Sequence, residues 1–222
     1  FPTIHQSHIE QLHTRDQYLL RHKGQAYIEL SDLGAGKTAY TRNSQYLAKV
    51  FAPYFPEAEK AFMIELGQQN QTTTFNKNTL MISPQETLKR ALFWESYLKK
   101  YPQSPLKKDA EYLLNAYSYF FFIGLADSPV SINFEGAIDI QPSTLSEIEQ
   151  LATHKNSPLA EQARRFLKFI DLSSDQRHKL VSSNTENTTP QVQLIQYLKL
   201  KPIDLNQVQS RNCFTDAICR SN

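Results

Sequence analysis

An all-α protein of antiparallel helix pairs, stacked in a short array, is the fold class this sequence predicts. Three observations lead there. A hydroxyl residue followed by proline, the signature of a helix start, recurs at Ser83-Pro84, Ser104-Pro105, Ser157-Pro158 and Thr189-Pro190. Apolar residues behind these starts follow helical spacing. Finally, the stretch Tyr97 to Tyr117 returns as Gln150 to Ile170 at a constant offset of 53 residues.

The elements follow in chain order. His8 to His22 and Ser44 to Gln68 read as helical, the second broken near Pro53 and Pro56. Between them, Tyr27, Ile28 and Leu30 fit either the end of a helix or the start of a strand. Gln68 to Lys77 is rich in Gln, Asn and Thr and reads as a loop. Ser83 then caps a helix with Pro84 at its first position and Glu86 placed to complete a capping box. Leu88, Ala91, Leu92, Trp94, Tyr97, Leu98 and Tyr101 form its broad apolar face, and Pro102 stops it. Ser104-Pro105 opens the next helix, with Ala110, Leu113, Leu114, Tyr117, Phe120 and Phe121 on one stripe. Asp127 to Pro142 partly alternates through Val130, Ile132, Phe134, Ile138 and Ile140, which fits a small hairpin or a long loop pinned by apolar residues. Thr144 and Glu147 suggest another capping box. Ser157-Pro158 starts a helix with Leu159, Ala163, Phe166, Leu167 and Ile170 on one side, and Thr189-Pro190 starts a weaker one to about Leu200.

The resulting organisation is a helical-repeat domain over residues 1–181, with irregular loops near 68–82 and 127–142. A polar linker and a helical extension with the two cysteines follow over 182–222. The repeated stretch carries most weight. Leu98, Ser104, Pro105, Leu106, Ala110 and Leu114 recur as Leu151, Ser157, Pro158, Leu159, Ala163 and Leu167. Each copy is helix, stop, helix start, helix, with a small alanine where two helices approach. Such a unit cannot cover its apolar face alone and is expected to stack on its neighbour.

WESYLKKYPQSPLKKDAEYLL, from Trp94 to Leu114, resembles the tetratricopeptide-like repeats of bacterial envelope proteins, in which a helix ends in Tyr-Pro-x-Ser-Pro before an alanine-bearing helix. The second copy carries His154-Lys155 in place of the Tyr-Pro. The resemblance implies a short superhelix that binds a protein or peptide, and a periplasmic scaffold rather than a catalyst.

Composition narrows the partners. Among 222 residues, 24 Lys and Arg face 22 Asp and Glu, for a net charge of +2 without a long basic block. Nothing here calls for nucleic acid or an anionic membrane surface. The longest apolar run, Tyr117 to Ala126, falls far short of the roughly 20 residues that span a bilayer. The chain begins at Phe1 without an initiator Met, which suggests a mature chain with its signal peptide removed and leaves room for a lipid anchor upstream. Its two cysteines, Cys213 and Cys219, sit together near the C-terminus. A small disulfide loop in an oxidising compartment competes with two free thiols in a reducing one, and spacing together with the missing Met favours the disulfide.

Several motifs suggest chemistry that their context does not sustain. SDLGAGKTAY, residues 31 to 40, has Gly36-Lys37-Thr38 but places Ser31 where a phosphate-binding loop needs its first glycine. It reads as a turn with Gly34 and Gly36 at positive φ. His8 and His13 would point about 140° apart on a helix, unlike the paired histidines of a zinc protease, and His5 with His8 reads as a solvated helix end near Glu10. No metal site and no cofactor are expected. Glu95-Ser96 echoes the acid–base motif of lytic transglycosylases, whose second sequence segment is missing, so Glu95 reads as a repeat-helix surface residue. Asn70-Gln71-Thr72 and Asn187-Thr188-Thr189 fit the glycan-acceptor pattern. In the run Tyr117 to Phe122, Tyr119 is the expected exposed member of an otherwise buried aromatic cluster.

These readings converge on a non-catalytic periplasmic or secreted binding protein. The candidate partner-binding residues are Trp94, Tyr97, Tyr101, Tyr112 and Tyr119. A peptidoglycan-cleaving enzyme using Glu95 and an inhibitor or immunity protein are the alternatives.

Overall fold

The computed structural model describes residues 9–34, 37–180 and 189–219. They contain ten α-helices and three short antiparallel strand pairs. The chain divides into two compact units, Phe1–Thr72 with Arg211–Asn222, and Thr73–Ser210.

In the first unit, α1 (Thr14–Arg21) starts at His13, whose ring accepts the Arg15 N–H at 3.2 Å. Strands β1 (Ile28–Gly34) and β2 (Lys37–Arg42) then pair antiparallel, with Ile28 opposite Arg42 and Asp32 opposite Thr38. The glycine stretch therefore belongs to a hairpin. Lys37 and Thr38 open a strand rather than the helix a phosphate loop requires, and Ala35 and Gly36 lie outside the described residues. Asn43 caps α2 (Ser44–Phe51) through the Tyr46 N–H at 2.8 Å. Pro53 sits in a single 3-10 turn, Ala52–Tyr54, before α3 (Glu57–Gln69), so both prolines interrupt the helix as expected. The two helices approach closely at Gly67, whose carbonyl accepts the Ser44 hydroxyl at 2.8 Å.

The second unit opens with a two-residue pair, β3 (Phe75–Asn76) and β4 (Thr79–Leu80). Helix α4 (Pro84–Lys100) is capped by Ser83, which accepts the Glu86 N–H at 3.1 Å. It packs along α5 (Lys107–Phe122). This helix starts two residues beyond Ser104-Pro105. The Ser104 hydroxyl is shared with Tyr97 Oη at 2.8 Å and with the Leu106 N–H at 3.1 Å, so it shapes the turn instead of capping. A second pair follows, α6 (Pro142–Ala152) with α7 (Pro158–Ile170), and α4 contacts both of its members. Ser157 does cap α7, accepting the Ala160 N–H at 3.1 Å. Thr144 does not cap: Pro142 begins α6, which places Thr144 one turn inside and buries it. The alanines equivalent in the repeat, Ala110 and Ala163, are both fully buried.

Between the pairs, β5 (Gly124–Leu125) and β6 (Ser128–Pro129) form a tight turn, and the chain continues to α6 as a pinned loop rather than a longer hairpin. Phe134 is the pin. It is fully buried against Phe166, ring centroids 6.1 Å apart. Its carbonyl accepts Arg177 from α8 (Ser174–Leu180) at 2.5 Å, whereas Ile132 and Ile138 face solvent. Helix α9 (Pro190–Tyr197), capped by Thr189, and α10 (Leu205–Ser210) complete the unit. Its core is aromatic: Trp94, Tyr117, Phe120, Phe121, Phe122, Phe166 and Phe169 are all fully buried.

Candidate functional site

The second unit carries a groove of about 340 Å³ between α5, α7 and the end of α9. Helical spacing builds its floor. Leu114 faces inward from α5, Pro158 and Leu159 from the first turn of α7, and Leu198 and Leu200 from the turn after α9.

That third wall is fixed by polar side chains. Helix α9 ends with Lys199 at φ 57°, a left-handed cap that lets the Leu200 N–H reach back to the Ile195 carbonyl at 3.0 Å. Its terminal carbonyls have no helical partners. Gln162 donates to the Leu198 carbonyl at 3.0 Å, and Arg165 donates to that of Tyr197 while stacking on its ring at 4.4 Å. Asn115 donates to the Lys201 carbonyl at 3.1 Å and accepts its N–H at 2.9 Å.

Glu95 lines the same groove, but its carboxylate is engaged. It accepts the Ser157 hydroxyl at 2.9 and 3.0 Å and the Leu159 N–H at 2.8 Å, an anionic cap at the N-terminus of α7. The charged rim is locally paired: Glu111 lies 4.0 Å from Lys107, and Glu161 lies 2.9 Å from Arg164.

The aromatic residues singled out from the sequence are distributed unevenly. Trp94 is fully buried and Tyr97 nearly so, which leaves neither a surface for a partner. They belong to a chain of edge-to-face and tilted ring contacts that runs from Phe93 through Trp94 and Tyr97 to Tyr101. Tyr101, Tyr112 and Tyr119 are half-buried. Tyr119 is the one residue of the 117–122 run with access to solvent, and desolvation raises its phenol pKa, opposed by a hydrogen bond from Gln191. None of the five lines the groove.

Cys213 and Cys219 are joined in a disulfide, which fits an oxidising compartment. Asn70 is not free to act as a glycan acceptor, because its amide donates to the Cys213 carbonyl at 2.8 Å and the Asp216 carbonyl at 2.6 Å. His5, His8 and Asn187 lie outside the described residues. Among the described residues no helix is long and apolar enough to cross a membrane, and no three His, Cys, Asp or Glu side chains gather as metal ligands would.

Fold and groove together define a mainly helical protein of packed antiparallel helix pairs. No protein-family model, no curated protein and no solved structure matches the chain.

Proposed function

We propose that the chain is a non-catalytic binding protein of the bacterial envelope, periplasmic or secreted, and that its helix pairs form a short tetratricopeptide-like array that holds a protein or peptide. The observation that carries this reading is the groove: an apolar floor between helices, open to solvent, with walls fixed by hydrogen bonds. Its size suits one or two large apolar side chains of a partner polypeptide, with the charged rim left to contact the partner's flanks. The repeated Ser-Pro hairpin and the buried alanines at matching positions support the array. Glu95 supports the non-catalytic side of the reading, because both its oxygens hold the start of α7.

The test places a photo-crosslinking amino acid at Glu111 or Lys199 on the groove, and at exposed Lys168 as the control. Crosslinks to an envelope protein from the groove positions alone are expected. No adduct at either groove position would defeat the proposal, as would muropeptide release by the purified protein that disappears in Glu95→Gln.

A further inference from the structure

One wall of the groove is a strap of the chain itself. Where α9 ends, residues 198–201 alternate in burial: Leu198 and Leu200 are buried, whereas Lys199 and Lys201 are exposed. The helices grip this strap by its main chain. Gln162 on α7 donates to the Leu198 carbonyl, and Asn115 on α5 takes both the carbonyl and the N–H of Lys201. Bonds to main-chain groups hold any segment of suitable path, and the surroundings of its side chains then choose among sequences. The strap, Leu-Lys-Leu-Lys, shows a pattern that these surroundings accept.

Those surroundings are apolar at the floor and acidic at the rim. Apart from Lys199 of the strap, the charged residues lining the groove are Glu95 on α4, Glu111 on α5, and Glu161 and Arg165 on α7. Two of these are already committed. Arg165 donates to the Tyr197 carbonyl and lies over the Tyr197 ring, at the negative end of α9. Glu95 holds the start of α7. Glu111 and Glu161 remain, on the two helices that flank the groove, with side chains 52% and 60% exposed. Their ion pairs with Lys107 and Arg164 are surface pairs that hold little energy, so an incoming cation can share either carboxylate at small cost.

We infer that the partner is a basic amphipathic peptide segment, in which leucine-like residues alternate with Lys or Arg; this rests on the reading of the groove as a polypeptide site. The strap stays in place as a wall. The partner's apolar side chains enter the open part of the groove over Leu114 and Pro158, and its cations meet Glu111 and Glu161 at the rim. An acidic segment of the same shape would set carboxylate against carboxylate and is turned away. An exposed charge pair supplies about threefold in affinity, so the two carboxylates together supply about tenfold. That suffices to choose the sign of the partner, while the apolar floor supplies the rest of the binding.

The experiment titrates the full-length protein into fluorescein-labelled synthetic peptides and reads fluorescence anisotropy at low and at physiological salt. Three peptide cores are compared: Leu-Lys-Leu-Lys, Leu-Glu-Leu-Glu and Ser-Lys-Ser-Lys. The first is expected to bind about tenfold tighter than either of the others, and less tightly as salt rises. Glu111→Gln/Glu161→Gln should weaken it about tenfold and flatten the salt dependence. Glu111→Lys/Glu161→Lys should turn the preference toward Leu-Glu-Leu-Glu, and the Gln variant carries the test if the Lys variant folds poorly. Equal binding of the Lys and Glu peptides, or indifference to the Gln variant, overturns this inference alone and leaves the groove as a polypeptide site. Equal binding of Ser-Lys-Ser-Lys overturns the amphipathic pattern. A protein that takes none of the three overturns the inference together with the reading on which it rests.

Discussion

Arg90 is a cation that is costly to bury. Its guanidinium is almost wholly removed from solvent, where it donates to Glu86 at 2.8 Å, to Thr74 at 3.0 Å and to the Tyr117 hydroxyl at 3.3 Å. A buried cation is tolerated only while its donors are satisfied. Arg90→Ala would remove one hydrogen-bond donor from each of Thr74 and Tyr117 and open a cavity, at a cost of about 2–4 kcal/mol. Arg90→Met keeps the stem packed and should cost about half as much. Trp94 is the sole tryptophan and is fully buried, so its fluorescence in urea melts reports both variants; equal losses for Ala and Met would show that hydrogen bonding, not packing, is what Arg90 supplies. Tyr101 presents the opposite case. Among the described residues its buried hydroxyl has no hydrogen-bond partner. Removing an unsatisfied polar atom relieves its desolvation cost, so Tyr101→Phe is expected to leave the midpoint unchanged or raise it by up to about 1 kcal/mol of stability. A clear loss in the same melt would reveal a partner for that hydroxyl.

Helix pairs meet closely where one residue lacks a side chain. At Gly67 on α3, an added Cβ would sit 2.9 Å from Ala48 Cβ and 3.0 Å from the Ser44 carbonyl oxygen on α2. Alanine would gain up to about 1 kcal/mol in helix propensity, against an overpacking cost of about 1–3 kcal/mol. The clash should win: thermal melting of Gly67→Ala is expected to show a net loss of about 1 kcal/mol, and a stabilised variant would mean that α2 yields easily. Such long-range contacts also separate what the sequence discloses from what it hides. Ser83-Pro84, Ser157-Pro158 and Thr189-Pro190 were legible as helix starts because cap and helix are neighbours in the chain. Ser104 looked the same, yet Tyr97 claims its hydroxyl and the start moves to Lys107. The Ile28–Arg42 hairpin was ambiguous because Tyr27, Ile28 and Leu30 are too few apolar positions to tell the end of a helix from the start of a strand. The groove was illegible. Asn115 and Gln162 meet carbonyls 86 and 36 residues away, and no local spacing encodes that meeting. Trp94 and Tyr97 were read as partner contacts from residue type alone, which cannot tell a buried aromatic from an exposed one.

Stability of the whole molecule depends on how its buried groups ionise, and here the buried phenols set the alkaline limit. Tyr117 has no contact with water, and desolvation raises its pKa above the ordinary value of 10.0, although the Arg90 charge pulls the other way. Tyr119 is raised for the same reason, less completely buried. A folded pKa above the unfolded one means that the native state holds the proton more tightly. The stability this contributes is fully present below the unfolded value and is lost as pH rises through the folded value. Between neutral pH and about pH 9 these phenols should leave the urea midpoint level; above about pH 10 it should fall steadily, as the unfolded chain ionises freely while the native core resists. Helix content followed by circular dichroism in urea, from about pH 7 to about pH 11, gives the curve directly. Tyr117→Phe removes the more deeply buried phenol, keeps the ring against Phe120, and should flatten most of the decline at the expense of a weak hydrogen bond to Arg90. An alkaline fall of equal depth in Tyr117→Phe would move its origin to another titrating group, and a midpoint that never falls would mean that the native core admits water to the phenolate.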